Sequence, residues 1–352
     1  MLRDTYAYVD LNRLTDNLNK IYAVFQKPMY AVLKANAYGH GVVKVLETID
    51  PLPFIKGYCV ATLQEGVEIR KAGYTKQILV IGTVKEETLE VASLYDITVT
   101  VFDEEFAKDI EKINYELKVQ IKLDTGMHRI GLRSKEQLSQ VYSLLKNNPH
   151  IIMDGVFTHF ATADCDLKEQ KIACDRFKEM IQGFEFTNIH GANSATMMHI
   201  PDHFTNCGRI GIGMYGIDPY FEDLLDVKPI MSLYTTVMMV KQIRKGDYVG
   251  YGYTYQAKED EYIATLPIGY ADGFIRKNQG RQVYINGNKY TIVGRVCMDQ
   301  MMVKVDENVH VGDEVEIFGD HISIYDMAND LETIPYEILT LLSLRVERKY
   351  SK

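Results

Sequence analysis

The chain has 352 residues, with 39 Lys+Arg against 48 Asp+Glu for a formal net charge of −9. That length accommodates about two domains, or one large barrel with an appendage, and 46% hydrophobic with 25% charged residues excludes the disordered and fibrous classes. The acidic balance gives no electrostatic footprint for nucleic acid, so no nucleic-acid partner is expected.

Residues 1–10 lack the basic start and apolar core of a signal peptide, and no run of 18 apolar residues occurs. A cytoplasmic protein with no membrane partner is the expectation. The five cysteines, Cys59, Cys165, Cys174, Cys207 and Cys297, are odd in number, widely spaced and without a CxxC pair, which favours reduced thiols and no metal site. Tyrosine is abundant, with 24 Tyr and no Trp, and packing is the expected role of most of it.

A stretch of helical spacing at 12–25 is followed by eight β-rich runs, at 30–35, 57–62, 77–82, 97–102, 118–124, 153–160, 188–193 and 209–215. Helical spacing recurs between them at 63–72, 85–94, 104–113, 135–145 and 168–181. Strands alternating with helices imply parallel pairing, because each crossover returns the chain to the same end of the sheet. Eight such units fit a (β/α)8 TIM-like barrel, expected over 10–222. Beyond it, runs of Val, Tyr, Ile and Met are punctuated by Lys245-Gly246-Asp247, Asn286-Gly287-Asn288 and Val311-Gly312-Asp313, which are turn signals between antiparallel strands. A mainly antiparallel all-β C-terminal domain is expected over 223–352, with 1–9 as a candidate addition and a short helix near 335–343.

In such a barrel the working groups stand where strands end at the carboxyl face, and phosphate sites often use the loops after strands seven and eight. Lys34 closes the first predicted strand, ahead of Ala35-Asn36-Ala37-Tyr38-Gly39-His40-Gly41. Desolvation in a barrel mouth lowers a lysine's pKa and opens Schiff-base chemistry; an ordinary solvated strand end is the plainer alternative. Strand five carries Lys122 to Arg129, and strand six ends in Thr158-His159-Phe160. Strand seven ends in His190-Gly191-Ala192-Asn193-Ser194, and strand eight supplies Arg209-Ile210-Gly211-Ile212-Gly213. Polar groups at the ends of five strands argue for one shared site. The Ser194 hydroxyl, with backbone N–H groups accessible at the glycines after Arg209, reads as a phosphate cup. A lysine and a phosphate cup in one barrel mouth suit pyridoxal phosphate.

The segments AVLKANAYGHG at 31–41, KLDTGMHRIG at 122–131, FTHFATAD at 157–164 and GANSA at 191–195 resemble motifs of the bacterial alanine racemases, pyridoxal-phosphate enzymes of fold type III. So do RIGIGMYGI at 209–217, IGYADG at 268–273, GRVCMDQ at 294–300 and the Tyr336-Glu337 segment, all in the family's order. The resemblance implies interconversion of L-alanine and D-alanine by two bases, supplying D-alanine for peptidoglycan. Lys34 would hold the cofactor and serve as base on one face of Cα, and Tyr270 would serve on the other. A phenol, with a reference pKa of about 10, needs neighbouring positive charge for that task; the family places a histidine and an arginine there, here His159 and Arg209. Arg209 would also face the pyridine nitrogen, to which a permanently charged arginine gives no proton, so the ring becomes a weaker electron sink and side reactions are suppressed.

Tyr38, Ser194, the backbone of Gly211 and Ile212, and Tyr336 are the implied phosphate ligands, with Asn193 and His159 also in the cofactor set. Arg129 and the backbone of Met298 would meet the substrate carboxylate. Lys122 matches a position the family often carries as a carbamate, and Asp299 is an expected supporting carboxylate. The family also implies a homodimer with shared active sites, in which Tyr270 and the residues around Met298 come from the second subunit. Arg209 speaks against a decarboxylase of the same architecture, and the second domain against a barrel-only regulatory protein. One departure from the family pattern is Gly250-Tyr251-Gly252-Tyr253-Thr254-Tyr255, where Ser-Tyr-Gly-Ala-Thr-Tyr is more usual; the bulk of Tyr253 bears on substrate access or on the dimer surface.

Overall fold

The computed structural model describes residues 3–200, 203–220 and 224–351. The chain divides into a barrel unit, Leu14–Ala37 with Val42–Lys228, and a sheet unit, Met1–Arg13, Tyr38–Gly41 and Pro229–Lys352. The boundary expected at 222/223 lies outside the described residues; the division by contacts falls at Lys228/Pro229.

The barrel unit holds eight parallel strands among its described residues: Met29–Val32, Ile55–Val60, Gln77–Val80, Ile97–Val101, Leu117–Lys122, Ile151–Phe157, Asn188–His190 and Gly208–Ile210. The first pairs with the last, and the seam between seventh and eighth is spanned by one bridge, His190 to Cys207. Strands covered on both faces need apolar residues on both, and all five residues of Ile97–Val101 are buried. The surrounding helices bury one stripe each, as with Leu14, Leu18, Ile21 and Phe25 of Leu11–Phe25. Their starts are set by side-chain caps: Asp103 on Glu104–Glu111, Ser134 on Lys135–Lys146 and Asp166 on Leu167–Ile181.

Several predicted strands run too far. The first stops at Val32, so Lys34 does not close a strand but stands two residues beyond it. The cause is local: Ala35, Asn36, Ala37 and Tyr38 all have φ of 52° to 54°, a left-handed turn that no strand continues into. The sixth ends at Phe157, and the eighth at Ile210, where Met214 and Tyr215 N–H groups turn back to the Gly211 and Ile212 carbonyls. In this unit two helices escaped the sequence reading, Val42–Ile49 and Ser194–His199, and the run at 85–94 is a 3₁₀ turn, Glu86–Thr88, leading into the short helix Leu89–Leu94.

Among its described residues the sheet unit carries nine strands in one sheet, in the order Met239–Ile243, Glu261–Leu266, Met301–Val305, Asn288–Val293, Gln282–Ile285, Glu314–Phe318, Met231–Thr236, Tyr6–Val9 and Glu347–Tyr350. Every pair is antiparallel except the last, so the N-terminal strand is built into this sheet. Beside this sheet the unit carries the expected short helix, Pro335–Leu341, and a further one, Ile324–Leu331. The Asn286-Gly287 turn joins two strands with both residues at positive φ, as a two-residue hairpin requires.

One ion pair anchors the loop that follows Glu261–Leu266. The fully buried Asp272 carboxylate accepts from both terminal nitrogens of Arg3 at 2.6 Å and from the Gly269 N–H at 3.0 Å. Burial raises the Asp272 pKa, but the hydrogen bonds and charge of Arg3 outweigh it, leaving the carboxyl below its ordinary value. A depressed folded-state pKa means stabilisation that is present above the ordinary carboxylate range and lost as pH falls through the folded value. Arg3→Ala is therefore expected to cost about 1–2 kcal/mol near neutral pH, Arg345 and the backbone retaining part of the interaction. Urea unfolding at neutral and acidic pH checks this, and the gap between variant and parent should narrow in acid.

Candidate active site

The barrel unit gathers one set of the expected residues beyond its strand ends. Lys34 is half-buried, and desolvation, then the Arg129 charge, lower its pKa, with Glu65 opposing. The left-handed turn after it costs about 1–2 kcal/mol per non-glycine residue, so something must hold it. The Leu33 N–H donates to the Cys59 carbonyl at 2.8 Å, the Ala35 N–H to Glu65 Oε1 at 2.6 Å, and Asn36 Oδ1 accepts from the Val42 N–H at 2.8 Å.

Lys122 ends the fifth strand with 4% of its surface exposed, and its Nζ donates to the Leu123 carbonyl at 2.5 Å. Burial pushes its pKa down to about 7, with Arg209 and Arg129 assisting and Asp124 opposing. Asp124 itself accepts from the Gly126 and His128 N–H groups, both at 3.0 Å, and shapes the loop that presents the exposed Arg129.

Arg209 is buried inside the barrel. Its guanidinium donates to His190 Nδ1 at 2.6 Å, the Thr158 carbonyl at 2.8 Å, the His190 carbonyl at 3.3 Å and His159 Nδ1 at 3.3 Å, and lies 5.3 Å from the Phe157 ring centroid. These partners are ring nitrogens and carbonyls rather than carboxylates. Burial, and then the Arg209 charge, hold His159 and His190 well below the ordinary histidine value, so both rings are neutral. His190 is further tied through Nε2 to Gln120 Oε1 at 2.7 Å, and Gln120 Nε2 donates to Asp154 Oδ2 at 2.8 Å. A carboxylate only accepts, so the Gln120 oxygen must face His190, which places that ring's proton on Nε2 and leaves Nδ1 as the acceptor for Arg209.

Asn193 caps Ser194–His199 by accepting from the Thr196 N–H at 3.0 Å. Ser194 Oγ accepts from the N–H groups of Gly211 and Gly213, each at 3.1 Å, so the loops after strands seven and eight meet at this hydroxyl, and Ile212 lies between those two glycines. A Cβ at Gly213 would stand 3.2 Å from Ser194 Cβ, a tight contact that glycine avoids.

A second set belongs to the sheet unit. The rings of Tyr38 and Tyr336 have centroids 6.0 Å apart. Tyr270 opens the turn Tyr270–Asp272, its N–H donating to the Cys297 carbonyl at 3.0 Å, while the Ala271 N–H donates to the Met298 carbonyl at 3.0 Å. This strap is possible because residue 269 is glycine; a Cβ there would lie 2.4 Å from the Cys297 and Met298 carbonyl oxygens. Asp299 accepts from Arg345 at 2.8 Å. Tyr270 is 42% exposed and Met298 53%, with Tyr251 and Tyr253 more exposed still on the same unit.

The donor set suits pyridoxal phosphate. Lys34, Lys122, Arg129 and Arg209 repel one another, each lowering a neighbour's pKa, a charge excess that a phosphate-bearing ligand relieves. A lysine poised toward its neutral amine is the group an aldehyde needs. Glu65, Gln120 and His190 carry this geometry without having been given roles by sequence reasoning. For Glu65 a signal existed: Thr62-x-x-Glu65 is a capping box, and both of its hydrogen bonds form.

Family models for the alanine racemase N-terminal domain and C-terminal domain match residues 9–219 and 230–350. The alanine racemase of Streptococcus uberis is 39% identical over 366 residues, covering 99% of this chain and 98% of the relative. The crystal structure of alanine racemase from E. faecalis superposes with a TM-score of 0.94 at 35% identity, covering 99% of this chain and 98% of that one. That of alanine racemase from Bacillus anthracis with bound L-Ala-P gives a TM-score of 0.94 at 36% identity, covering 100% and 96%.

Proposed function

The chain belongs to the alanine racemase family, and from that premise we propose that its Lys34 and Tyr270 are the two bases of a pyridoxal-phosphate-dependent interconversion of L-alanine and D-alanine. The observation that carries the reading is a lysine shifted toward its neutral form in the same barrel mouth as a buried arginine with no carboxylate partner. When bound, pyridoxal phosphate withdraws electrons from the substrate Cα and so acidifies its C–H bond.

Lys34 Nζ holds the cofactor and, once released, takes or returns a proton on one face of Cα. Tyr270 Oη does the same on the other. Ser194, the backbone of Gly211 and Ile212, Tyr38 and Tyr336 hold the phosphate, with Asn193 fixing the Ser194 turn. Arg209, charged and tied to His190, His159 and the Thr158 carbonyl, would face the pyridine nitrogen with a hydrogen bond but no proton, and with His159 would supply the polar support that the tyrosine base needs. Arg129 and the Met298 backbone orient the substrate carboxylate, and Asp299 braces Met298 through Arg345.

Lys122, whose pKa burial pushes down to about 7, is available as a neutral amine that can add carbon dioxide, releasing one proton and leaving an anion near Arg129. Protein equilibrated with ¹³C-bicarbonate is expected to show a carbamate resonance that Lys122→Arg lacks. Its absence from the parent protein would leave Lys122 a free amine.

Tyr251, Tyr253, Tyr270 and Met298 of the sheet unit are exposed aromatic and apolar side chains that suit cover by a second copy. The functional unit is then a two-fold homodimer in which each sheet unit serves its partner's barrel. Among the described residues no helix is long and apolar enough to cross a membrane; with bacterial relatives, a cytoplasmic role supplying D-alanine for peptidoglycan is the natural setting. The test is direct: protein loaded with pyridoxal phosphate and treated with borohydride should carry the cofactor on Lys34, and untreated protein should racemise either alanine enantiomer. Failure of both refutes the assignment.

A further inference from the structure

We propose that Glu65 is a positioning residue that holds the left-handed turn after Lys34 and thereby fixes the lysine for catalysis, an inference that rests on Lys34 being the cofactor-bearing base. A capping-box glutamate needs only one bond, from its carboxylate back to the cap residue's N–H. Glu65 makes that bond, Oε2 accepting from the Thr62 N–H at 3.1 Å, and then does two further things. The same oxygen accepts from the Ala61 N–H at 2.8 Å, holding the loop after the second strand, and Oε1 reaches across to the Ala35 N–H at 2.6 Å, directly after Lys34.

One carboxylate thus ties two neighbouring strand-to-helix loops together. Four successive non-glycine residues at φ of 52° to 54° are costly, and such strain persists only where the surroundings over-determine it. The Asn36 to Val42 hydrogen bond fixes the far side of the turn, and Glu65 fixes the side next to Lys34. Arg129, Arg209, Cys59 and Glu65 are the charged and titratable groups that act on Lys34; Glu65 opposes the two arginines, and burial pushes the Cys59 thiol up to about 12.

Glutamine matches the size of glutamate but accepts at only one of the two oxygen positions, and its amide N–H₂ would face a backbone N–H at the other. In the holoenzyme, Glu65→Gln is expected to lower kcat by more than about tenfold through misplacement of Lys34, and to move the acidic limb of the kcat profile to lower pH as the negative neighbour is lost. Hydrogen exchange of the 33–42 segment should quicken, a readout that does not depend on activity. Thr62→Ala is the control: it removes the helix cap but leaves the bonds to Ala35 and Ala61, so it should lower stability without moving the limb or quickening exchange at 33–42. Glu65→Asp, which keeps the charge but shortens the reach, should lower kcat while leaving the limb in place, and serves if the glutamine variant fails to fold. Unchanged kcat, limb and exchange in Glu65→Gln, with a stability loss like that of Thr62→Ala, would make Glu65 a helix cap only. Faster exchange in a protein that racemises no alanine would instead refute the catalytic reading while leaving the anchor intact.

Discussion

Lys34→Ala is expected to eliminate racemisation in both directions, a loss of at least about 10⁴-fold. The residue is asked to hold the cofactor and to exchange a proton at Cα, and no neighbour can take over both tasks. Lys122, a buried lysine, sits on the fifth strand and spends its Nζ on the Leu123 carbonyl. The variant should fold, because the strand ends at Val32 and the following turn is held through Leu33, Ala35 and Asn36 rather than through the lysine side chain. A chiral assay of alanine, with mass spectrometry of the 31–41 peptide after borohydride, checks both parts. Because burial and Arg129 lower the Lys34 pKa, its base form is available at lower pH than that of an ordinary lysine, and the acidic limb of the parent enzyme should lie below the usual lysine range. Residual activity above about one hundredth of the parent would remove Lys34 from this role.

Tyr270→Phe should separate the two halves of the reaction. It deletes one hydroxyl and leaves the ring in place, since the main chain is strapped to the Cys297 and Met298 carbonyls. Racemisation is expected to fall by about 10²–10⁴-fold, while one enantiomer still exchanges its Cα proton with heavy water, because Lys34 still serves its own face. The other enantiomer should lose exchange. Proton NMR of L-alanine and D-alanine incubated separately reads this asymmetry. Retained exchange in both enantiomers would mean that a single group serves both faces.

What the sequence revealed and what it hid divide along physical lines. Parallel strands covered on both sides must be apolar, so Ile97–Val101 and its fellows stood out as runs, and alternation with helical stretches fixed their direction. Lys34, His159 and Ser194 were legible because each stands at or just beyond the end of such a run, and Arg209 because it lies within one. Strand ends were not legible: alanine, asparagine and tyrosine have no intrinsic bias to four residues of left-handed backbone, so the turn at 35–38 arises from tertiary anchors such as Glu65. Ser194–His199 is too short for periodicity to register. Ile324–Leu331 does show helical spacing, in Ile324, Met327, Ala328 and Leu331, and was masked by the surrounding β pattern. The chain from Asp154 through Gln120 and His190 to Arg209 was invisible because a polar residue inside a barrel strand looks, in one dimension, like one that faces water.

The central claim, that Lys34 of one chain and Tyr270 of its partner complete one site, is tested most directly by mixing two inactive variants. Lys34→Ala and Tyr270→Phe chains, unfolded and refolded together or co-expressed, form mixed dimers in which one site carries both lesions and the other carries neither. Activity should return to about a quarter of the parent value, since about half the dimers are mixed and each has one intact site. If the mixture stays as inactive as either variant alone, the two residues do not act across chains, and the shared-site account is contradicted.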